Sequence, residues 1–276
     1  MNTRDKGLEN AVATNSIDQA IPDVQSTIDT RHIAIQSVGI RSVKYPVLIE
    51  LQGQKPMPSV AEFEMTVFLP ADQKGTHMSR FIALLEEAQG NVLTVSGFRA
   101  MLAEMLQRLD APSGRIKMEL PYFLSKVAPI SGVSSLMDYQ LSLEGSASDA
   151  GQDIYLTVVV PVTSLCPCSK KISEYGAHNQ RSHVTARVQL KEDVDIAQFI
   201  SAIEQQASCE LYGLLKRPDE KYVTERAYDN PKFVEDLVRD VAIAMNKFSQ
   251  VGQYTVEAEN FESIHNHSAY ARIDRA

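Results

Sequence analysis

The sequence predicts an α+β protein made of two tandem strand–strand–helix–helix–strand–strand modules with antiparallel sheets. Three observations carry that expectation. Apolar and polar residues alternate in several short runs, most cleanly from Glu62 to Leu69, where Phe63, Met65, Val67 and Leu69 share one face. Each half also holds stretches whose apolar residues fall at helical spacing. The same order of elements then recurs in the second half of the 276 residues.

Taken in order, residues 1–30 are polar and weakly patterned and read as a mobile tail. Residues 31–150 make the first module. Arg31 to Leu51 alternates loosely and predicts a long or broken strand, Gly53 to Pro58 a turn, and Glu62 to Leu69 the second strand. Phe81, Ile82, Leu84, Leu85 and Ala88 follow helical spacing. Ser96 is the expected N-cap of a second helix carrying Phe98, Met101, Leu102, Met105, Leu106 and Leu109. Ile116, Met118 and Leu120 predict a third strand, and Met137 to Leu143 a fourth. Ser146 to Gln152 is small and polar and reads as a linker.

Residues 151–276 make the second module. Ile154 to Val160 and Val184 to Leu190 alternate as strands, and Ile196, Phe199, Ile200 and Ile203 form a helical stripe. Pro231 after Asn230 suits the first turn of a further helix that carries Phe233, Leu237, Val238, Val241 and Met245. Tyr254 to Ala258 predicts a strand and Ala269 to Ile273 a short last one. Each module would offer an open four-stranded sheet. Open edges invite pairing, so closure into a barrel-like oligomer is expected.

Bulk properties narrow the classes. A 44% hydrophobic content gives a globular core, and a net charge of -8 argues against a general nucleic-acid surface. The longest apolar runs, such as Val241 to Met245, are far shorter than the roughly 20 residues of a membrane-spanning helix. No signal-type apolar segment follows Arg4 and Lys6. Three cysteines, two of them one residue apart, make a poor disulfide framework. Reduced thiols and a cytoplasmic chain are the expectation.

The chemistry gathers between the two strands of the second module. Cys166 and Cys168, His178 and His183, and Lys170, Lys171 and Arg181 crowd one short segment. If that segment stays extended, the two thiols face the same side. A C-x-C pair alone is as often two loop thiols as a metal or nucleophile site. His178, placed after Gly176, raises the weight of metal ligation, and His183 is the weaker candidate. His265 and His267 repeat an i, i+2 spacing near Glu262.

The charge runs Lys216–Lys221 and Thr224–Tyr228 are most simply a solvated face, although Glu220 could complete a mixed S/N/O metal site that leaves room for water. Glu235 and Glu262 could face the same site, where a carboxylate matches the N–H donors of a guanine edge. Lys170, Lys171, Arg181 and Arg226 could hold phosphates, although no glycine-rich phosphate loop is present. Cys209 reads as structural.

These residues are familiar as a set. Ser164–Ser173 (SLCPCSKKIS), Gly176–Ser182 (GAHNQRS), Glu225–Pro231 (ERAYDNP), Glu262–His267 (ESIHNH) and Lys74–Arg80 (KGTHMSR) resemble GTP cyclohydrolase IB, over roughly residue 30 to the C-terminus. The resemblance implies a tunnelling fold, a homotetramer, and conversion of GTP and water to 7,8-dihydroneopterin triphosphate and formate at the start of tetrahydrofolate biosynthesis. It implies one divalent metal ion per site (Zn²⁺, Mn²⁺ or Fe²⁺) held by Cys166, His178, Glu220 and His265. It further implies that Cys168 or His267 acts as the acid, and that Glu235 or Glu262 anchors the guanine. Competing expectations are a related tunnelling-fold enzyme giving a cyclic phosphate, a nitrile reductase that needs NADPH, and a metal-binding module without turnover.

Overall fold

The computed structural model describes residues 23, 25, 27–50 and 55–276. The expected mobile tail lies mostly outside these, and so do Leu51 of the expected first strand and residues 53 and 54 of the expected Gly53–Pro58 turn. Thr27 and Asp29 are tied down, since the Lys74 N–H donates to Thr27 O and the Asp29 N–H to Asp72 O.

The first half runs β1 (Ile35–Ile49), β2 (Met57–Leu69), α1 (Met78–Ala88), α2 (Val95–Leu109), β3 (Gly114–Val127) and β4 (Ser134–Ser148). Met57 and Pro58, expected in a turn, belong to β2. Thr94, not Ser96, caps α2. Its hydroxyl accepts from the Gly97 N–H at 2.9 Å, which satisfies a first-turn donor that Ser96, already inside the helix, cannot reach in the same way.

The second half runs β5 (Gly151–Leu165), α3 (Pro167–Ile172), β6 (Asn179–Leu190), α4 (Ile196–Glu204), the two-residue β7 (Cys209–Glu210), α5 (Arg217–Asp229), α6 (Val234–Met245), β8 (Val251–Asn260) and β9 (Ala269–Arg275). Pro231 lies in the α5–α6 connection, because α6 starts at Val234 with Phe233 as its N-cap. Asn230 instead ends α5, its N–H donating to the Arg226 and Ala227 carbonyls.

The strands form a single antiparallel sheet in the order β1-β2-β3-β4-β5-β6-β8-β9, with β7 beside β5. The two halves therefore share one sheet. The residues expected as a linker are the paired ends of β4 and β5, from Ser146↔Asp153 to Ser148↔Gly151, with the turn between them. Gly151 takes φ +121°, which closes this tight hairpin and which a side chain would strain. Small residues here mark a hairpin, not a flexible spacer.

Alternation decides which face is covered. Phe63, Met65, Ile116, Met118, Leu143, Leu156, Val158, Val184 and Val256 are buried in one core with residues of α1, α2, α4 and α6. The opposite face carries ion pairs, among them Arg115–Glu64, Arg187–Glu144 and Arg272–Glu257. The helices lie on one face only. No described helix is long and apolar enough to cross a membrane.

Candidate active site

β5 ends at Leu165, and the chain does not stay extended as expected of the Cys-Pro-Cys segment. Cys166 is the N-cap of α3, with Pro167 in the first turn, where its missing N–H costs nothing. Cys166 Sγ accepts from the Ser169 N–H at 3.5 Å. Cys168 is consequently carried into the helix and exposed, while Cys166 is partly buried. The thiols thus occupy the N-cap and the second position of a helix, not one face of a strand.

The segment closes back on itself. Gly176 takes φ +112°, and the Cys166 N–H donates to His178 O at 3.2 Å, continuing the β5–β6 ladder by one bond. Ser169 Oγ donates to Cys166 O at 3.1 Å and accepts from the His178 N–H at 3.2 Å. His178 Nδ1 stands 2.9 Å from Gln180 Oε1, 3.5 Å from Ser263 Oγ and 3.9 Å from Glu262 Oε2. Pairing of β8 with β6 delivers the second histidine segment to this end of the sheet, where the Phe261 N–H donates to Arg181 O. His265 and His267 stack at 5.0 Å and are exposed. His183 packs edge-on against Phe261 at 4.9 Å, and burial, then Arg181, holds its pKa below the usual histidine value.

α5 was read as a charge run and is a helix. Asp219 and Glu220 sit in its first turn, where acidic groups complement the helix dipole. Asp219 is fully buried and accepts from the N–H groups of Ile130, Ser131 and Lys216 and from the Ser131 hydroxyl. Glu220, beside it, is exposed, as is Glu235 in the first turn of α6. The Lys170 ammonium donates to Tyr228 O and lies 4.2 Å over that ring. Between the turn that follows α3, the start of β6 and α5 is a cleft of about 500 Å³ lined by Leu165, Tyr175, Asn179, Glu225, Tyr228 and Asp229.

Behind α5 lies a polar cluster that pattern reading missed. Lys126 donates to Glu204 Oε2 at 2.6 Å and to Glu210 Oε2 at 2.8 Å. Tyr139 donates to Glu204, Tyr212 to Glu210, and Arg226 to Glu210 at 3.3 Å. Arg226, expected at a triphosphate, is directed to this cluster. Burial pushes the Glu204 carboxyl above the usual range against the pull of Lys126. Burial would raise Glu210 as well, but its bonds to Lys126 and Tyr212 hold it low. Burial also raises the Cys209 thiol, in keeping with a structural role.

Among the described residues, no group of three or more His, Cys, Asp and Glu side chains gathers to hold a metal ion. Cys166 and His178 are neighbours, and their sulfur and imidazole donors suit Zn²⁺ and related divalent ions. Glu220 and His265 do not complete a group with them in this arrangement. Lys171 and Arg181 are exposed and make no ion pair among the described residues. Gln180 and Ser169 were missed as parts of the site. Only the i, i+2 spacing of His178 and Gln180 at a strand start hinted at the first.

Comparison with known proteins identifies the family. The model described as type I GTP cyclohydrolase folE2 matches residues 21–271. The chain belongs to that family. A GTP cyclohydrolase FolE2 of Burkholderia ambifaria is 60% identical over 255 residues, covering 92% of this chain and 94% of the relative. Another FolE2, of Janthinobacterium sp., is 59% identical over 275 residues, covering 99% of this chain and 98% of that one. Of solved structures, a uricase from Arthrobacter globiformis matches this folE2-family chain with a TM-score of 0.49 at 9% identity, over 87% of this chain and 93% of that one.

Proposed function

We propose that this chain hydrolyses GTP to 7,8-dihydroneopterin triphosphate with release of formate, the first step of tetrahydrofolate biosynthesis. One observation carries the reading: about 60% identity to FolE2 GTP cyclohydrolases along nearly the whole chain. The chemistry needs water to add at the electrophilic C8 of guanine, the imidazole ring to open, and C8 to leave as formate before the rearranged ribose closes the pterin.

Cys166, His178, Glu220 and His265 are the residues we assign to a divalent ion, Zn²⁺, Mn²⁺ or Fe²⁺. Such an ion lowers the pKa of bound water toward neutrality when present. Every other role belongs to the chain. Cys168 or His267, both exposed, supplies a proton to the departing purine nitrogen. Glu235 or Glu262 accepts from the guanine N–H groups. Lys171 and Arg181 are the readiest partners for the triphosphate, with Lys170 and Arg226 joining after exchanging their present acceptors. The working assembly we propose is a cytoplasmic homotetramer.

The deciding experiment follows formate release and pterin fluorescence after oxidation, with GTP as substrate. Metal-stripped protein is compared with protein given back Mn²⁺ or Zn²⁺. The expected result is formate in stoichiometric yield with the pterin, restored by metal. A folded protein that yields no formate with either metal refutes the reading.

A further inference from the structure

We infer that Gln180 is a positioning residue for His178, its amide oxygen fixing the imidazole so that Nδ1 carries the proton and Nε2 is presented as the free donor atom. The inference rests on the proposal that His178 works in the site. His178 itself lies just outside β6, its backbone held by the Cys166 N–H and by Ser169 Oγ, which leaves the rotation of the ring to its side-chain contacts.

Gln180 is different. It is the second residue of β6, 6% exposed, and its backbone pairs with Ser164 of β5. Two residues on, Ser182 faces the same side and is bonded to Ser164 Oγ at 2.8 Å and Asn260 Oδ1 at 2.7 Å. A side chain anchored in that ladder sets the direction of a loop side chain.

The contacts give the tautomer. A neutral imidazole has one N–H donor and one lone-pair acceptor, and the hydrogen bond at one nitrogen decides the role of the other. Gln180 Oε1 at 2.9 Å is the closest group to Nδ1, with Ser263 Oγ and Glu262 Oε2 farther out on the same side. An amide oxygen and a carboxylate oxygen, which only accept, favour the proton on Nδ1, and the Ser263 hydroxyl is compatible with it. None of the described groups hydrogen bonds Nε2. Among these three, Gln180 alone is both within ordinary bonding distance and held by a strand.

The test reads the ring before any metal is added. In metal-free protein, at a pH where the ring is neutral, nitrogen–proton correlation spectra of His178 should show Nδ1–H alone. Gln180→Met, similar in length but without an acceptor, should give a mixture of tautomers. Its Zn²⁺ affinity, measured against a chromophoric chelator, should fall about 10- to 100-fold. Gln180→Glu, which restores an acceptor, should recover the single tautomer.

A Met variant with wild-type spectra and Zn²⁺ affinity would overturn the inference, with Glu262 or Ser263 then sufficient. Equal loss in the Met and Glu variants would also overturn it, leaving Gln180 a packing residue. If wild-type protein binds no Zn²⁺ while the tautomer still follows the substitutions, the positioning role stands and the metal assignment of His178 falls.

Discussion

Lys126 lies where two carboxylates from different elements converge, and it is only 11% exposed. Replacing it with methionine leaves Glu204 without its cation and Glu210 with Arg226 alone. Breaking a buried pair in this way costs about 3–5 kcal/mol, so Lys126→Met should be much less stable in urea melts at neutral pH. The pH dependence has a definite sign. A carboxyl whose folded pKa is raised, as Glu204's is, destabilises the fold as pH rises through that value. The variant's deficit should therefore shrink as the pH is lowered toward the ordinary glutamate value near 4.3, whereas a deficit independent of pH would contradict the pairing. The lowered Glu210 acts oppositely in the wild type: the stability it gives is present above that value and lost below it. At the loop, Cys166→Ala should abolish metal binding and formate release while leaving the melting temperature close to wild type; an active variant with full metal content would remove Cys166 from the ligand set. Cys166 and His178 were legible because reactive side chains clustered between two alternating runs. Gln180, Lys126 and Asp219 were not, since a buried polar residue looks like a surface one until its partners, distant in sequence, are known.

Strands were easier to read than helices, and the reason is geometric. Each strand of the sheet buries one face under helices and leaves the other to ion pairs, so Phe63–Met65–Val67 or Ile154–Leu156–Val158 announce themselves by alternation. α5 buries little beyond Asp219 and Ala227, so it carries no apolar stripe and read as a charge run. α3 is six residues long, too short to show a period. Strand ends were underestimated for a related reason: Ser146 and Ser148 are held by β5's backbone and need no apolar side chain. Element packing can be tested at Gly145 of β4. A methyl group there would stand 2.8 Å from Ile154 Cδ1, 2.9 Å from Phe98 Cε1 and 3.0 Å from Leu102 Cδ2. Gly145→Ala should wedge α2 off the sheet and cost about 1–3 kcal/mol in chemical denaturation; an unchanged midpoint would mean that α2 yields freely.

Over the whole molecule, β1 and β9 are the two outer strands of the sheet, each paired with one other strand among the described residues, β1 having besides a single bridge from Leu48 to Val92. Long edges of this kind are ordinarily covered, and the proposed tetramer would cover them. Light scattering should then give a mass near four times the 30.6 kDa of one chain, and a monomer at working concentration would contradict it. The strand–strand–helix–helix–strand–strand order of the first half recurs in the second only with α3, β7 and α5 added to it; that the two sheets merge was not legible, since a short polar turn looks like a spacer. The merging has a consequence for cutting the chain. A break at Asp149–Ala150 severs one peptide bond, yet leaves the β4–β5 ladder, the Lys126–Glu204 and Lys126–Glu210 bonds and the Asp219 clamp on Ile130 and Ser131 all spanning the cut. The two fragments carry each other's missing neighbours, so co-expressed halves would find one another and rebuild the site as a two-piece enzyme.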